Sequence, residues 1–208
     1  MLRKVAALLV CLLMLVPGAL AEESWGDFAQ YETPFDFTAD SFQECYAACV
    51  EAQGQSVAWS EPVPLADSDF SVMTGSGGAL ADLQVLIDGA GHVYAARVCI
   101  AAEASSSELP TLASAAGQTM AGAMFAYNMA LNGGQITQEF ATAVSEAVPA
   151  ISGAFIVEGD GLEELMTTGR GTAVYINGLP LTIFVRLNAE AGVLLEATIA
   201  IAPVQLSF

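Results

Sequence analysis

The sequence predicts an α+β domain in which one antiparallel sheet carries its helices on a single face. In each half of the chain, a segment with helical period precedes segments that alternate apolar and polar residues. Short turn signals join neighbouring alternating segments, as in antiparallel hairpins. Hydrophobic residues make up 54% of the 208 residues, which is enough for one sizeable core.

The first 21 residues predict a secretory signal peptide. Arg3 and Lys4 supply the positive start, and Val5–Val16 is an apolar run too short to span a bilayer. Ala19–Ala21 provides a small-x-small cleavage site, so we expect a secreted, extracellular or cell-envelope-exported chain that starts at Glu22. An uncleaved N-terminal anchor is the alternative.

Loss of the signal peptide leaves a strongly acidic chain without lysine. Only Arg97, Arg170 and Arg186 oppose 23 carboxylates, which gives a net charge of 3 − 23 = −20. This charge excludes a nucleic-acid partner, because phosphate contacts need clustered cations. It favours cationic partners, calcium or simple solubility.

The first half predicts an arm, a helix and a hairpin. Residues 22–40 form an acidic and aromatic arm before a single domain at 41–208. Ser41 and Glu44 fit a capping box that begins a helix. Its apolar stripe consists of Phe42, Cys45, Tyr46, Cys49 and Val50. Short strands are expected at 56–59, 61–64 and 70–73, followed by a hairpin of Leu83–Ile87 with Tyr94–Ile100, in which Tyr94 faces the helices with Val85 and Val98.

The second half begins with a long uncharged segment at 109–132. We interpret it as a buried connector helix; a membrane span is the alternative that its length allows. A helix at Thr137–Val148, a short strand at Phe155–Val157 and a helical turn at Leu162–Met166 are expected next.

Asn177-Gly178 provides the clearest hairpin signal, since this pair favours a two-residue type I′ turn. It pairs Ile176 with Leu179 and Val174 with Leu181, and Leu195–Ile201 returns as the last strand. The order of patterns also predicts two repeated halves, 41–103 and 137–203. The alternative is that unrelated helix–hairpin segments share such patterns.

The sequence offers little catalytic chemistry, and no cofactor is expected. His92 is the only histidine, and we interpret it as a polar turn residue. Cys45, Cys49 and Cys99 are the disulfide candidates, but a bridge is not expected, because the first two share a helix and the third faces the other way. Their spacing is also not typical of zinc.

An acidic segment provides weak calcium candidates. Glu158, Asp160, Glu163 and Glu164 surround two glycines, but their spacing is not that of an EF-hand. A solvated acidic loop is the simpler interpretation, and no metal is predicted.

The sequence favours a secreted, non-catalytic module that binds a protein or peptide. The sheet face away from the helices is expected to carry Arg97, Tyr175, Phe184 and Arg186, a mixture enriched at interfaces. Either this face is an open partner site, or the arm folds over it through Trp25, Phe28 and Phe35. A small hydrolase or a ligand- or calcium-binding protein that uses acidic groups is the alternative function.

Overall fold

The structure is a computed structural model, which describes residues 25–103, 106–155, 161–188 and 194–208. The predicted signal peptide, its cleavage site and two of the calcium candidates, Glu158 and Asp160, lie outside the described residues.

The helices are α1 (Ala39–Glu51), α2 (Leu109–Leu131), α3 (Gln138–Ala154) and the short α4 (Gly161–Thr167), preceded by a 3₁₀ turn at Phe28–Gln30. The predicted capping box at the start of α1 is wrong. Thr38 is the N-cap, and its hydroxyl accepts a hydrogen bond from the Ser41 amide at 3.4 Å. The helix therefore begins inside the segment predicted as an arm.

The strands are β1 (Ala58–Trp59), β2 (Val63–Pro64), β3 (Phe70–Ser76), β4 (Leu83–Asp88), β5 (Val93–Glu103), β6 (Arg170–Ile176), β7 (Leu179–Asn188) and β8 (Leu194–Ile201). They form one sheet in the order β1-β3-β4-β5-β8-β7-β6, with β2 also paired to β3. All pairings are antiparallel. The α+β class is thus confirmed.

The helices and one sheet face share a single hydrophobic core. Its sheet side includes Val85, Val98, Ile183 and Ile199, as the sequence predicts. Phe42 and Tyr46 of α1 and Phe140 of α3 are among the largest fully buried side chains. Within the described ranges, no helix combines the length and apolarity that a membrane span requires.

The Asn177-Gly178 hairpin has the predicted register. Ile176 pairs with Leu179 and Val174 with Leu181. Asn177 and Gly178 have φ values of 49° and 85°, as a type I′ turn requires at both central positions. This local turn aligns the buried face of β6 with that of β7.

Two predictions in the strand and helix pattern are wrong. A register shift between Leu86 and Ile87 turns Tyr94 to the opposite sheet face, where it contacts Phe70, and Val93 takes the helix-facing position. Such a bulge exchanges faces because side chains alternate along a strand. In addition, α3 continues through Pro149 to Ala154, so Phe155 is the C-cap of a helix; the rest of the strand predicted at Phe155–Val157 lies outside the described residues.

The two halves share an order of elements: α1 precedes the β3–β5 meander and α3 precedes the β6–β8 meander. The meanders meet where β5 pairs with β8. The sequence also predicts that Val57 and Trp59 match Phe155 and Val157. Phe155 is instead the C-cap of α3, and Val157 lies outside the described residues. The internal duplication itself stays a prediction.

Candidate partner-binding surface

The candidate surface lies on the sheet face opposite the helices, which we name the far face. The register places two rows of side chains next to each other across its centre. The first row is Gln84, Arg97, Ala200 and Thr182, and the second is Cys99, Thr198 and Phe184. The chain's two ends cover the first row, and in the second row Phe208 of the C-terminal tail reaches Phe184. We name these regions the covered half and the open half.

Arg97 anchors the covered half and is fully buried. Its guanidinium carbon lies 3.6 Å from the centre of the Trp25 ring, and its Nε donates to the Gln84 side-chain oxygen at 2.9 Å. Trp25 is itself buried and makes an edge contact with Tyr31. The arm therefore covers this part of the far face, one of the two outcomes that the sequence left open, and Arg97 is inaccessible from the surface.

Burial sets the electrostatics of this contact. It lowers the pKa of Arg97 to about 10, against the smaller opposing influence of Cys99 and Tyr31. Burial also raises the pKa of Tyr31, although Arg97 and Gln30 partly offset the shift. The arginine remains a cation at neutral pH, and the indole face provides the negative quadrupole that stabilises it.

The C-terminal tail completes the cover. The Leu206 side chain is buried, and its amide donates to Thr182 Oγ1 at 3.2 Å. Gln30 joins tail and arm: its Oε1 accepts from the Ser207 amide at 2.8 Å, and its Nε2 donates to the Trp25 carbonyl at 3.1 Å. Both chain ends are thus fixed to one another.

The arm covers the far face with only part of its aromatic residues. Phe28 stacks on Phe70 with ring centres 5.7 Å apart, as a far-face residue should. Phe35, which was predicted to lie there too, instead stacks on Phe37 and packs in the helix-side core. The arm thus has residues on both faces of the sheet. It is attached at the start of β5, where the Phe35 amide donates to the Val93 carbonyl at 2.7 Å.

The open half consists of the second row, in which Thr198 is buried, together with the next pair along β7 and β8, Arg186 and Glu196. Phe184 is half-buried beside Phe208, with ring centres 6.1 Å apart, and Cys99 is exposed. Arg186 forms an ion pair with Glu196 and keeps 54% of its side chain exposed. The result is an aromatic and thiol centre bordered by a charged pair.

Tyr175 does not join this centre. It lies on the edge strand β6 opposite Pro180, four residues along the strand from Gly171, the partner of Phe184. It is 62% exposed, and its hydroxyl donates to the Gln205 side-chain oxygen at 3.1 Å. Of the four predicted residues, the structure therefore brings together only Phe184 and Arg186.

The three described cysteines are free. Cys49 Sγ lies 3.6 Å from the Met129 sulfur, and Cys45 packs against the same core. Burial raises the pKa of both the Cys45 and the Cys49 thiol. Glu44 adds a smaller increase to the pKa of Cys45, and Cys45 adds one to that of Cys49. Cys99 Sγ lies 3.6 Å from Thr198 Oγ1 on the opposite side of the sheet.

His92 lies in the β4–β5 turn with its side chain about half exposed. Its Nδ1 is 2.9 Å from Asp88 Oδ2, and Asp88 Oδ1 accepts from the amides of Ala90 and His92. Partial burial raises the pKa of Asp88, but these hydrogen bonds outweigh that influence and lower it overall. The contacts explain His92 as a turn residue.

The remaining calcium candidates, Glu163 and Glu164, lie in the first turn of α4 and are exposed. Across the described ranges, no three His, Cys, Asp or Glu side chains lie close enough to hold a metal ion.

No role for the C-terminal tail was predicted from the sequence. Its signal was a short alternation after β8, in which Leu206 and Phe208 flank the polar Ser207.

Comparison with models of protein families, with curated proteins and with solved structures gave no match.

Proposed function

We propose that the chain is a secreted, non-catalytic module that binds a protein or peptide at the open half of the far face. One observation carries this proposal. Both chain ends pack across the neighbouring row, yet Phe184 stays half-buried and Arg186 and Cys99 stay exposed. Aromatic residues and arginine are enriched at interfaces, because they combine large contact area with directional polar groups.

The charges specify the partner's chemistry. The whole chain carries a formal charge of −18, which attracts a basic partner over long range. At the surface, Glu196 can accept a hydrogen bond from such a partner, and the ring of Phe184 offers an apolar contact. The partner is therefore a segment with an apolar side chain flanked by basic residues.

A displayed library of random peptides, selected against residues 22–208, tests this proposal. We expect enrichment of aliphatic or aromatic residues next to Lys or Arg. Binding of an enriched peptide should shift the NMR signals of Cys99, Phe184 and Arg186 and should weaken with added salt. Selected peptides that bind elsewhere on the chain, or a selection without enrichment, would contradict the proposal.

Phe184→Ser and Phe155→Ser form a matched pair of variants. Phe155 is 37% exposed and follows α3, which packs on the helix-facing side of the sheet rather than on the far face. Phe184→Ser should reduce peptide affinity by about tenfold or more, as removal of an interface aromatic commonly does. Phe155→Ser should leave the affinity unchanged, and circular dichroism should show both variants folded.

A further inference from the structure

The two edges of the sheet differ in how they are protected against pairing with another strand. At one edge, β1 and β2 have two residues each, and Pro62 and Pro64 interrupt the segment. At the other edge, β6 has seven residues and contains no proline. Short strands, prolines and charges are the usual protections of an edge, and β6 beyond Arg170 has none of them.

The register shows which backbone groups of β6 point outward. The two-residue turn makes Ile176 and Leu179 a hydrogen-bonded pair, and bonded and non-bonded pairs then alternate. Gly171, Ala173 and Tyr175 therefore direct their N–H and C=O groups away from β7. Pro180, opposite Tyr175, agrees with this assignment, since it has no N–H to donate. In the described part of the chain, β7 is the only strand paired with β6.

We propose that β6 pairs antiparallel with β6 of a second copy of this chain, centred on Ala173. A twofold axis at this position pairs Ala173 with itself and Gly171 with Tyr175 of the other copy. These are the residues with outward groups, so every one of them gains a partner. The two sheets then become one continuous sheet.

The far-face side chains fit this register. Gly171 has no side chain and is exposed, and its nearest contact outside the backbone is Phe184, whose Cδ2 lies 3.9 Å from the position a Cβ would take. The exposed ring of Tyr175 from the second copy would cover Gly171 and approach Phe184. An aromatic side chain across from a strand glycine shields it from water, and the symmetry provides this contact twice.

The charge distribution also favours a second copy at this edge. No carboxylate occurs from Leu165 to Asn188, although the chain has 23 acidic residues, and both Arg170 and Arg186 lie in this stretch. Two copies that meet along β6 therefore bring their least acidic regions together. Their remaining charges still repel, so added salt should strengthen the dimer by screening them.

This inference is independent of the proposed function. Pairing along β6 brings Tyr175 of the second copy near Phe184 but leaves Cys99 and Glu196, three and two strands away in the sheet, uncovered. Loss of the dimer with peptide binding retained would refute only the pairing. Absence of peptide binding in both the dimer and the monomeric Ala173→Lys chain would refute only the proposed function.

Sedimentation velocity of residues 22–208 across concentration and salt tests the pairing. We expect a monomer–dimer equilibrium that shifts toward the dimer as salt rises. Hydrogen exchange at the Ala173 amide should slow as the protein concentration increases, while exchange at exposed amides away from β6 should stay unchanged.

Two variants at the same position separate pairing from folding. Ala173→Pro removes an outward N–H that β7 does not use, and Ala173→Lys places two cations face to face at the twofold axis. Each should weaken dimerisation by about tenfold or more. Gln118→Lys, on the exposed side of α2, adds the same charge and should dimerise like the parent chain.

A chain that remains monomeric at every concentration and salt would overturn the proposal. A dimer that survives Ala173→Lys would also overturn it. So would a dimer that weakens as salt rises, which is the behaviour expected of a complex with a basic partner. If Ala173→Pro does not fold, Ala173→Lys against Gln118→Lys still decides the question.

Discussion

The covered and open halves of the far face belong to the same strands but differ in burial. In the covered half, Arg97 is fully buried beneath Trp25, and Leu206 closes over Thr182. Two residues further along β5, Cys99 is exposed, and two residues along β7, Phe184 is half-buried. Strand sequence alone does not make this difference, because the chain's two ends provide the cover.

The comparison shows that a mixed aromatic and arginine composition has two different uses here. Arg97 serves the fold, since its charge is held against an indole ring and a glutamine side chain. Arg186 keeps most of its contact with solvent and pairs with Glu196 at the surface. Substitutions that disturb Arg97 should therefore destabilise the fold far more than substitutions of Arg186.

Trp25→Ala should produce the largest effect. It removes a fully buried ring and exposes the Arg97 cation to an unfilled space, so the free energy of unfolding should fall by about 3–5 kcal/mol. Urea unfolding followed by circular dichroism measures it. Phe155→Ala, a truncation of an exposed aromatic, should change stability by less than about 1 kcal/mol. Equal losses of stability in the two variants would mean that the covered half is not part of the core.

Gly178→Val should cost roughly 1–2 kcal/mol, because a β-branched side chain is strained at the φ of 85° that this turn position has. The hairpin carries Phe184 and Arg186, so the test also probes the frame of the open half. Gly178→Asn, which tolerates positive φ better, should cost less. An unchanged thermal midpoint for Gly178→Val would contradict the turn.

The hairpin of β6 and β7 could be predicted because its determinants are local. Asn177-Gly178 fixes the turn, and the alternation beside it then fixes which side chains face the helices. Tyr94 was predicted on the wrong face because the bulge after Leu86 has no clear sequence signature. The length of α3 was missed because Pro149, which normally limits a helix, lies on its exposed side.

The candidate site was only half predictable for a similar reason. Strand alternation placed Arg97, Phe184 and Arg186 on one face, and the structure agrees. Which of them is buried depends on Trp25 and Leu206, which are distant in sequence and have no periodic relation to the strands. Long-range packing by irregular chain ends leaves no pattern in the strands themselves.

Asp88→Asn should have a smaller effect that depends on pH. Asp88 fixes the turn between β4 and β5. The start of α1 docks against this turn, since the Ala39 amide donates to the Gly91 carbonyl at 2.9 Å. Because its folded-state pKa is lowered from 3.8, the carboxylate's contribution is fully present above about pH 4 and is lost as pH falls through the folded-state pKa. Urea unfolding at several pH values should show a stability difference from the parent chain that disappears in acid. A stability difference that persists unchanged in acid would contradict this role of the Asp88 carboxylate.

Arg186→Ala should have the smallest effect on stability, less than about 1 kcal/mol, since exposed ion pairs contribute little. Glu196→Ala should match it, and the double variant should show little coupling. A loss as large as that of Trp25→Ala would mean that the open half belongs to the core.

The accessibility of the Cys99 thiol in the folded chain shows directly whether the open half is exposed. Residues 22–208 in the reduced state are treated briefly with a maleimide, and the labelled positions are identified by peptide mass. Cys99 should react rapidly, while Cys45 and Cys49, which are half-buried thiols of raised pKa, should react fully only after unfolding. If Cys99 reacts as slowly as Cys45 and Cys49, the open half is covered in the folded protein and cannot be the partner-binding surface.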